Sequence, residues 1–120
     1  MNMLLKKVLL VLVCFFALAG QAMADSLSDA NRVYDEGDYE KAAKLYSPLA
    51  KDGNAEAQYV LGMMYRAGRG VPHDYKEARK WYLLAAEQGH PLAQFYLGWM
   101  YAGGKGVPKD YIQAHMWINI

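Results

Sequence analysis

N-A-E-A-Q-Y-V-L-G-M-M-Y-R-A-G-R-G-V-P-H-D-Y-K-E-A-R-K-W, Asn54 to Trp81, returns 36 positions later as H-P-L-A-Q-F-Y-L-G-W-M-Y-A-G-G-K-G-V-P-K-D-Y-I-Q-A-H-M-W, His90 to Trp117. Ala57, Gln58, Leu61, Gly62, Met64, Tyr65, Gly68, Gly70, Val71, Pro72, Asp74, Tyr75, Ala78 and Trp81 each meet an identical residue. Self-similarity at a fixed period of this length is the signature of a stacked-repeat architecture. An earlier, divergent copy shares the register, with Asp38 on Asp74, Tyr39 on Tyr75, Ala42 on Ala78, Tyr46 on Tyr82 and Gly53 on Gly89.

Each copy divides into two helices. Asn54 caps a helix from about Ala55 to Arg66, and its repeated residues fall within one arc of roughly 160° when placed at about 100° per residue. Packing against a neighbouring copy explains that arc. The residues that change, Glu56, Tyr59, Val60, Met63 and Arg66, take the other side. The loop Ala67 to His73 carries Gly68 and Gly70 for positive φ, while Pro72 holds Val71 extended and free to plug the hairpin end. Asp74 then caps a second helix that stops at Gly89, and in the last copy His90 takes the capping place ahead of Pro91. In the first copy, Ser26 or Ser28 is expected to cap a helix running to about Glu36. Asp38 caps the next, in which Pro48 costs a hydrogen bond and bends or ends it, and Gly53 closes the unit.

The ends carry different signals. Lys6 and Lys7, the apolar run Val8 to Ala19 and the small residues around Met23 form a secretory leader, with cleavage expected after Ala24. The competing reading is an uncleaved anchor, but the uninterrupted apolar run is shorter than the roughly 20 residues that cross a bilayer. Residues 1–24 are thus the leader, 25–53 the divergent first repeat, 54–89 a full repeat and 90–120 a last repeat shortened in its second helix. That shortened helix leaves Trp117, Ile118 and Ile120 as an apolar edge and candidate assembly surface, where a solenoid ordinarily ends in a polar cap. Either the chain is a shortened version of a longer protein or another molecule covers the edge.

Cys14, the sole cysteine, lies in the leader, so the mature fold rests on no disulfide. Of 13 basic residues Lys6 and Lys7 are lost, leaving 11 against 12 acidic residues and a net charge near −1. That balance excludes a phosphate-backbone binder, so nucleic acid is not an expected partner.

The pattern A-x-A-Q-Y-x-L-G-x-x-Y-x-x-G-x-G-V-P-x-D-Y-x-x-A-x-x-W-Y-x-x-A-A-E-x-G resembles the Sel-one-like repeats, a branch of the tetratricopeptide superfamily, from Asp38 to Ile120. The resemblance implies an all-α, right-handed α-solenoid of antiparallel helix pairs, with the first helix of each pair lining a concave groove. It also implies an adaptor in protein complexes, exported to the periplasm or secreted. Some cysteine-rich relatives bind or slowly hydrolyse penicillin-like ligands, which makes a binder or slow hydrolase of that class the alternative. Those proteins staple each repeat with a disulfide, which this chain cannot form.

No nucleophile stands in a recognisable setting. The mature chain lacks cysteine and threonine, and Ser26, Ser28 and Ser47 lie outside any G-x-S-x-G elbow. His73, His90 and His115 show no H-E-x-x-H spacing, and Gly68 and Gly70 are not followed by the Gly-Lys-Ser/Thr of a phosphate loop. Neither metal, cofactor nor catalysis is expected. The changing arc is the better site: Tyr59, Met63 and Arg66 in one repeat, Phe95 and Trp99 in the next, where large apolar side chains can anchor a peptide or protein.

Overall fold

A computed structural model describes residues 2–119. Ile120, expected at the C-terminal edge, lies outside the described residues. Among those residues every regular element is a helix: α1 (Met3–Asp35), α2 (Tyr39–Lys51), α3 (Ala55–Ala67), α4 (Tyr75–Glu87), α5 (Pro91–Gly103) and α6 (Tyr111–Ile118). Each packs on the helix before it and the helix after it, which makes a stack of helix pairs.

The N-terminal helix differs from expectation. No new helix starts at Ser26 or Ser28; α1 runs unbroken through both, and the Ser26 hydroxyl donates back to the Ala22 carbonyl at 2.9 Å. A serine inside a helix takes a carbonyl of its own preceding turn, and the alanines around it offer nothing to stop the helix. The resulting helix is also long and apolar enough to cross a membrane, so length does not separate anchor from leader as the apolar run alone implied. Its apolar N-terminal portion is exposed and consistent with a signal sequence; α1 buries Ala30 and Val33 near its C-terminal end.

Repeat boundaries are made by caps. At the end of α2 the Asn54 amide donates to the Leu49 carbonyl and the Gly53 amide to Ala50, both at 3.1 Å, with Gly53 at φ 97°. These bonds satisfy carbonyls that the helix end would orphan. Asn54 at once starts α3, its Oδ1 accepting from the Ala57 amide at 2.8 Å. Pro48 neither ends nor divides α2, which continues to Lys51. Its missing N–H deprives one carbonyl, that of exposed Lys44, of its helical donor.

The glycine loop joins repeats as well as helices. Gly68 ends α3 at φ 66°, and the Asp74 amide returns to the Tyr65 carbonyl at 3.0 Å; Asp110 does the same to Tyr101 at 2.9 Å. Gly70 has a second duty. A Cβ there would stand 2.2 Å from the Tyr39 carbonyl oxygen, and one on Gly106 2.7 Å from that of Tyr75. The loop therefore rests on the start of the preceding repeat's second helix, with Arg69 over the Tyr39 ring and Lys105 over the Tyr75 ring. Val71 packs against the core from the same loop, as expected.

Two further repeated residues hold the stack. Gly62 lies under Tyr82, where a Cβ would meet the ring at 2.9 Å, so α3 and α4 approach closely. Gln58 is buried and donates through Nε2 to the Ala50 carbonyl at 3.1 Å; Gln94 donates to Ala86 at 3.2 Å. Each glutamine thus reaches a carbonyl near the end of the preceding repeat's second helix and adds a bond between repeats to the one that carbonyl already accepts from Gly53 or Gly89.

Candidate functional site

The changing face of α3 is largely occupied by α5. The His90 ring stacks on Tyr59 with centroids 4.5 Å apart, and its Nε2 lies 2.8 Å from Glu56 Oε2. Nδ1 of the same ring accepts from the Ala93 amide at 3.3 Å, which realises the expected cap and leaves Nε2 to donate to the carboxylate. The Tyr96 ring completes the cover, stacked 5.6 Å from Tyr82 and 6.4 Å from Tyr59.

Of the five residues expected to line a groove, three sit in or beside this joint. Tyr59 is 9% exposed and its hydroxyl points at Met63 Sδ, 3.9 Å away. Met63 is half-buried. Arg66, also half-buried, donates through Nε to the Tyr82 hydroxyl at 3.1 Å and lies over the Tyr96 ring, 4.5 Å from its centroid. Burial pushes the Tyr82 phenol up to about 12 against the opposing pull of Arg66. Burial also works against the charged Arg66, but its hydrogen bond to Tyr82 and the surrounding tyrosines carry it above its ordinary value.

The other two, Phe95 and Trp99, are exposed. They repeat the positions of Tyr59 and Met63, and with Leu92, in the place of Glu56, they form an i, i+3, i+7 row on one side of α5. No helix covers that row among the described residues, and Phe95 is 51% exposed where Tyr59 is 9%. α5 carries no charged side chain at all.

The C-terminal edge shows the same change. Trp117 is half-buried against the core, whereas Ile118, over Gly98 as Tyr82 is over Gly62, is exposed. Sequence reasoning missed a neighbouring patch of Tyr111, Ile112 and Met116, all exposed. Its signal was present: Glu40 and Lys76 precede Ile112 in the repeat register, and Lys44 and Lys80 precede Met116. Two charged, exposed positions become apolar in the last copy and stay exposed.

Elsewhere the polar groups have structural roles. The His73 ring packs edge-on against Tyr75, and His115 Nδ1 lies 2.8 Å from the Asn119 amide nitrogen. A cavity of about 390 Å³ lies between α1 and α2, with Ala19, Ala22 and Met23 of the N-terminal segment expected to be a leader in its wall.

A stack of antiparallel helix pairs joined by repeated loops is a helical-repeat scaffold. The chain belongs to the Sel1 repeat family, whose model matches residues 34–54, 55–90 and 91–119. A Sel1 repeat protein from Oxalobacter formigenes is similar in structure at 39% identity with a TM-score of 0.71, covering 75% of this chain and 37% of that one. The protective antigen c5321 of uropathogenic Escherichia coli strains, which displays an SLR fold, is similar at 38% identity with a TM-score of 0.76. That match covers 82% of this chain and 22% of the antigen, so the chain spans well under half the length of either protein. Cysteine rich protein B of Helicobacter pylori, at 18% identity and TM-score 0.64 over 80% of this chain and 83% of that one, shares the fold. No curated protein matches the chain.

Proposed function

We propose that this Sel1-repeat scaffold is exported, loses its leader after Ala24, and works by holding a protein or peptide partner on the face of α5 that carries Phe95 and Trp99. The supporting observation is the row Leu92, Phe95 and Trp99 on α5: large, uncharged and exposed among the described residues. Burying such side chains stabilises a complex by about 1.5–3 kcal/mol each when cover is complete, and aromatic anchors dominate binding energy at interfaces. The cationic and apolar leader, and the description of the Escherichia coli relative as a protective antigen, support an exported location. Binding, and not turnover of a penicillin-like ligand, is the function so proposed.

A photo-crosslinking amino acid at Phe95 or Trp99, in cells expressing the whole chain, tests this reading. It should give a discrete adduct of defined mass, whereas the same probe at exposed Lys44 on α2 should give none. Equal labelling at all three positions, or no adduct at Phe95 and Trp99, would sink the binding face.

A further inference from the structure

We infer that Arg66 is the anchor for a carboxylate of the protein or peptide partner, received end-on by the two Nη groups of its guanidinium. The inference rests on the binding reading just proposed and names one group the partner carries.

The first argument is a cation without a counter-ion. Arg66 is half-buried, touching Tyr82 on α4 and Tyr96 on α5, and a charge withdrawn from water is ordinarily paired. Other cations of the chain find an acid: Arg32 lies against Glu36 and Asp29, Lys44 against Glu40 and His90 against Glu56. No described carboxylate pairs with Arg66. The one acid of its own helix is Glu56, and the His90 ring already occupies it. Burial works against the charge, and what offsets it is the Tyr82 hydrogen bond and the phenols of Tyr82, Tyr96 and Tyr59, none of them a carboxylate.

The second argument is geometry. Nε is spent on the Tyr82 hydroxyl at 3.1 Å, and the guanidinium carbon stands 4.5 Å from the Tyr96 centroid, so the group is held in place by two contacts. Both Nη atoms remain. Among the described residues neither has a hydrogen-bond partner, and neither is sealed from solvent. Together they make an end-on fork, which takes a carboxylate through two parallel charge-assisted hydrogen bonds. A side chain already immobilised loses little rotamer freedom on binding. Met63, half-buried one turn earlier on α3, places an apolar side chain beside the fork.

The third argument is that the stack does not require this arginine. Its register holds Ala30 in the repeat before and Ala102 in the repeat after, so alanine builds the same joint. Arg66 also lies a full repeat before the last described helix pair, and each helix packs on its immediate neighbours. What packs on α6 therefore does not decide access to the fork.

Nuclear magnetic resonance of the full chain in a non-ionic detergent tests the site, with three peptides as probes. N-acetyl-glutamyl-phenylalanine amide carries a side-chain carboxylate, N-acetyl-glycyl-phenylalanine a C-terminal one, and N-acetyl-glutaminyl-phenylalanine amide none. At least one of the first two should shift the Arg66 Nε–H signal saturably, and which one responds tells a side chain from a chain end. The glutaminyl peptide should leave it in place. Arg66→Gln should weaken the response of the Tyr96 amide to the carboxylate peptide by roughly tenfold or more, as loss of a charge-assisted hydrogen bond requires. No response to either carboxylate peptide, or an equal response to the glutaminyl one, overturns the inference; neither comparison needs a variant to fold. The photo-adduct at Phe95 reads the α5 face separately, so that face can fail while the Arg66 response stands, or stand while it fails.

Discussion

Tyr82 and Ile118 stand at the same place in successive repeats, each over the glycine of its own hairpin, yet Tyr82 is 0% exposed and Ile118 is 48%. The cause is the presence or absence of a covering helix. α5 closes over Tyr82 with Tyr96 stacked on its ring, and no described helix closes over Ile118. In a solenoid a repeat supplies half of each joint, and burial belongs to the pair and not to the single copy. Among the described residues the last copy therefore supplies only its own half of a joint.

The largest effect should come from cutting the two equivalent residues. Tyr82→Ala removes a fully buried ring and the partner of Arg66 and should cost about 3–5 kcal/mol, whereas Ile118→Ala should cost about 1 kcal/mol, because half its surface already meets water. Urea unfolding of both variants reads the difference, and equal losses would break the contrast. Next in size, Gly70→Ala should cost about 3 kcal/mol, since it meets both a positive φ and the Tyr39 carbonyl. Gly53→Ala, also at positive φ but facing open space, should cost about 1 kcal/mol in the same assay.

The smallest effect sharpens the comparison through pH. Burial raises Tyr46 and Tyr82 from 10.0 to about 12. Between those values the unfolded chain has released protons that the folded one retains, so stability is complete below pH 10 and falls as pH rises toward 12. Denaturation midpoints across that window should decline, and Tyr82→Phe should decline less. An unchanged slope in that variant would remove Tyr82 as a cause.

Much of this was legible in the sequence because it is local. The caps at Asp38, Asn54, Asp74 and His90 and the stop at Gly53 follow from side-chain chemistry within a few residues, and the 36-residue register located the helix pairs. Other features depend on residues far apart. Gly70 announces positive φ, but its seat on Tyr39 is a contact between repeats with no local mark. Tyr59 and Phe95 look alike in the repeat, and only the arrival of His90 and Tyr96 makes one a joint residue and the other a surface. Ile112 and Met116 carry a readable signal, charge lost from a solvent-facing register, but it lies on a second helix, away from the changing arc of the first helices.

The most direct test is amide hydrogen exchange of the chain, comparing α4 with α6. A joint made by two halves predicts that α4, closed over by α5, exchanges slowly, while α6, over which no described helix closes, exchanges faster. Exchange in α6 as slow as that in α4 would contradict it.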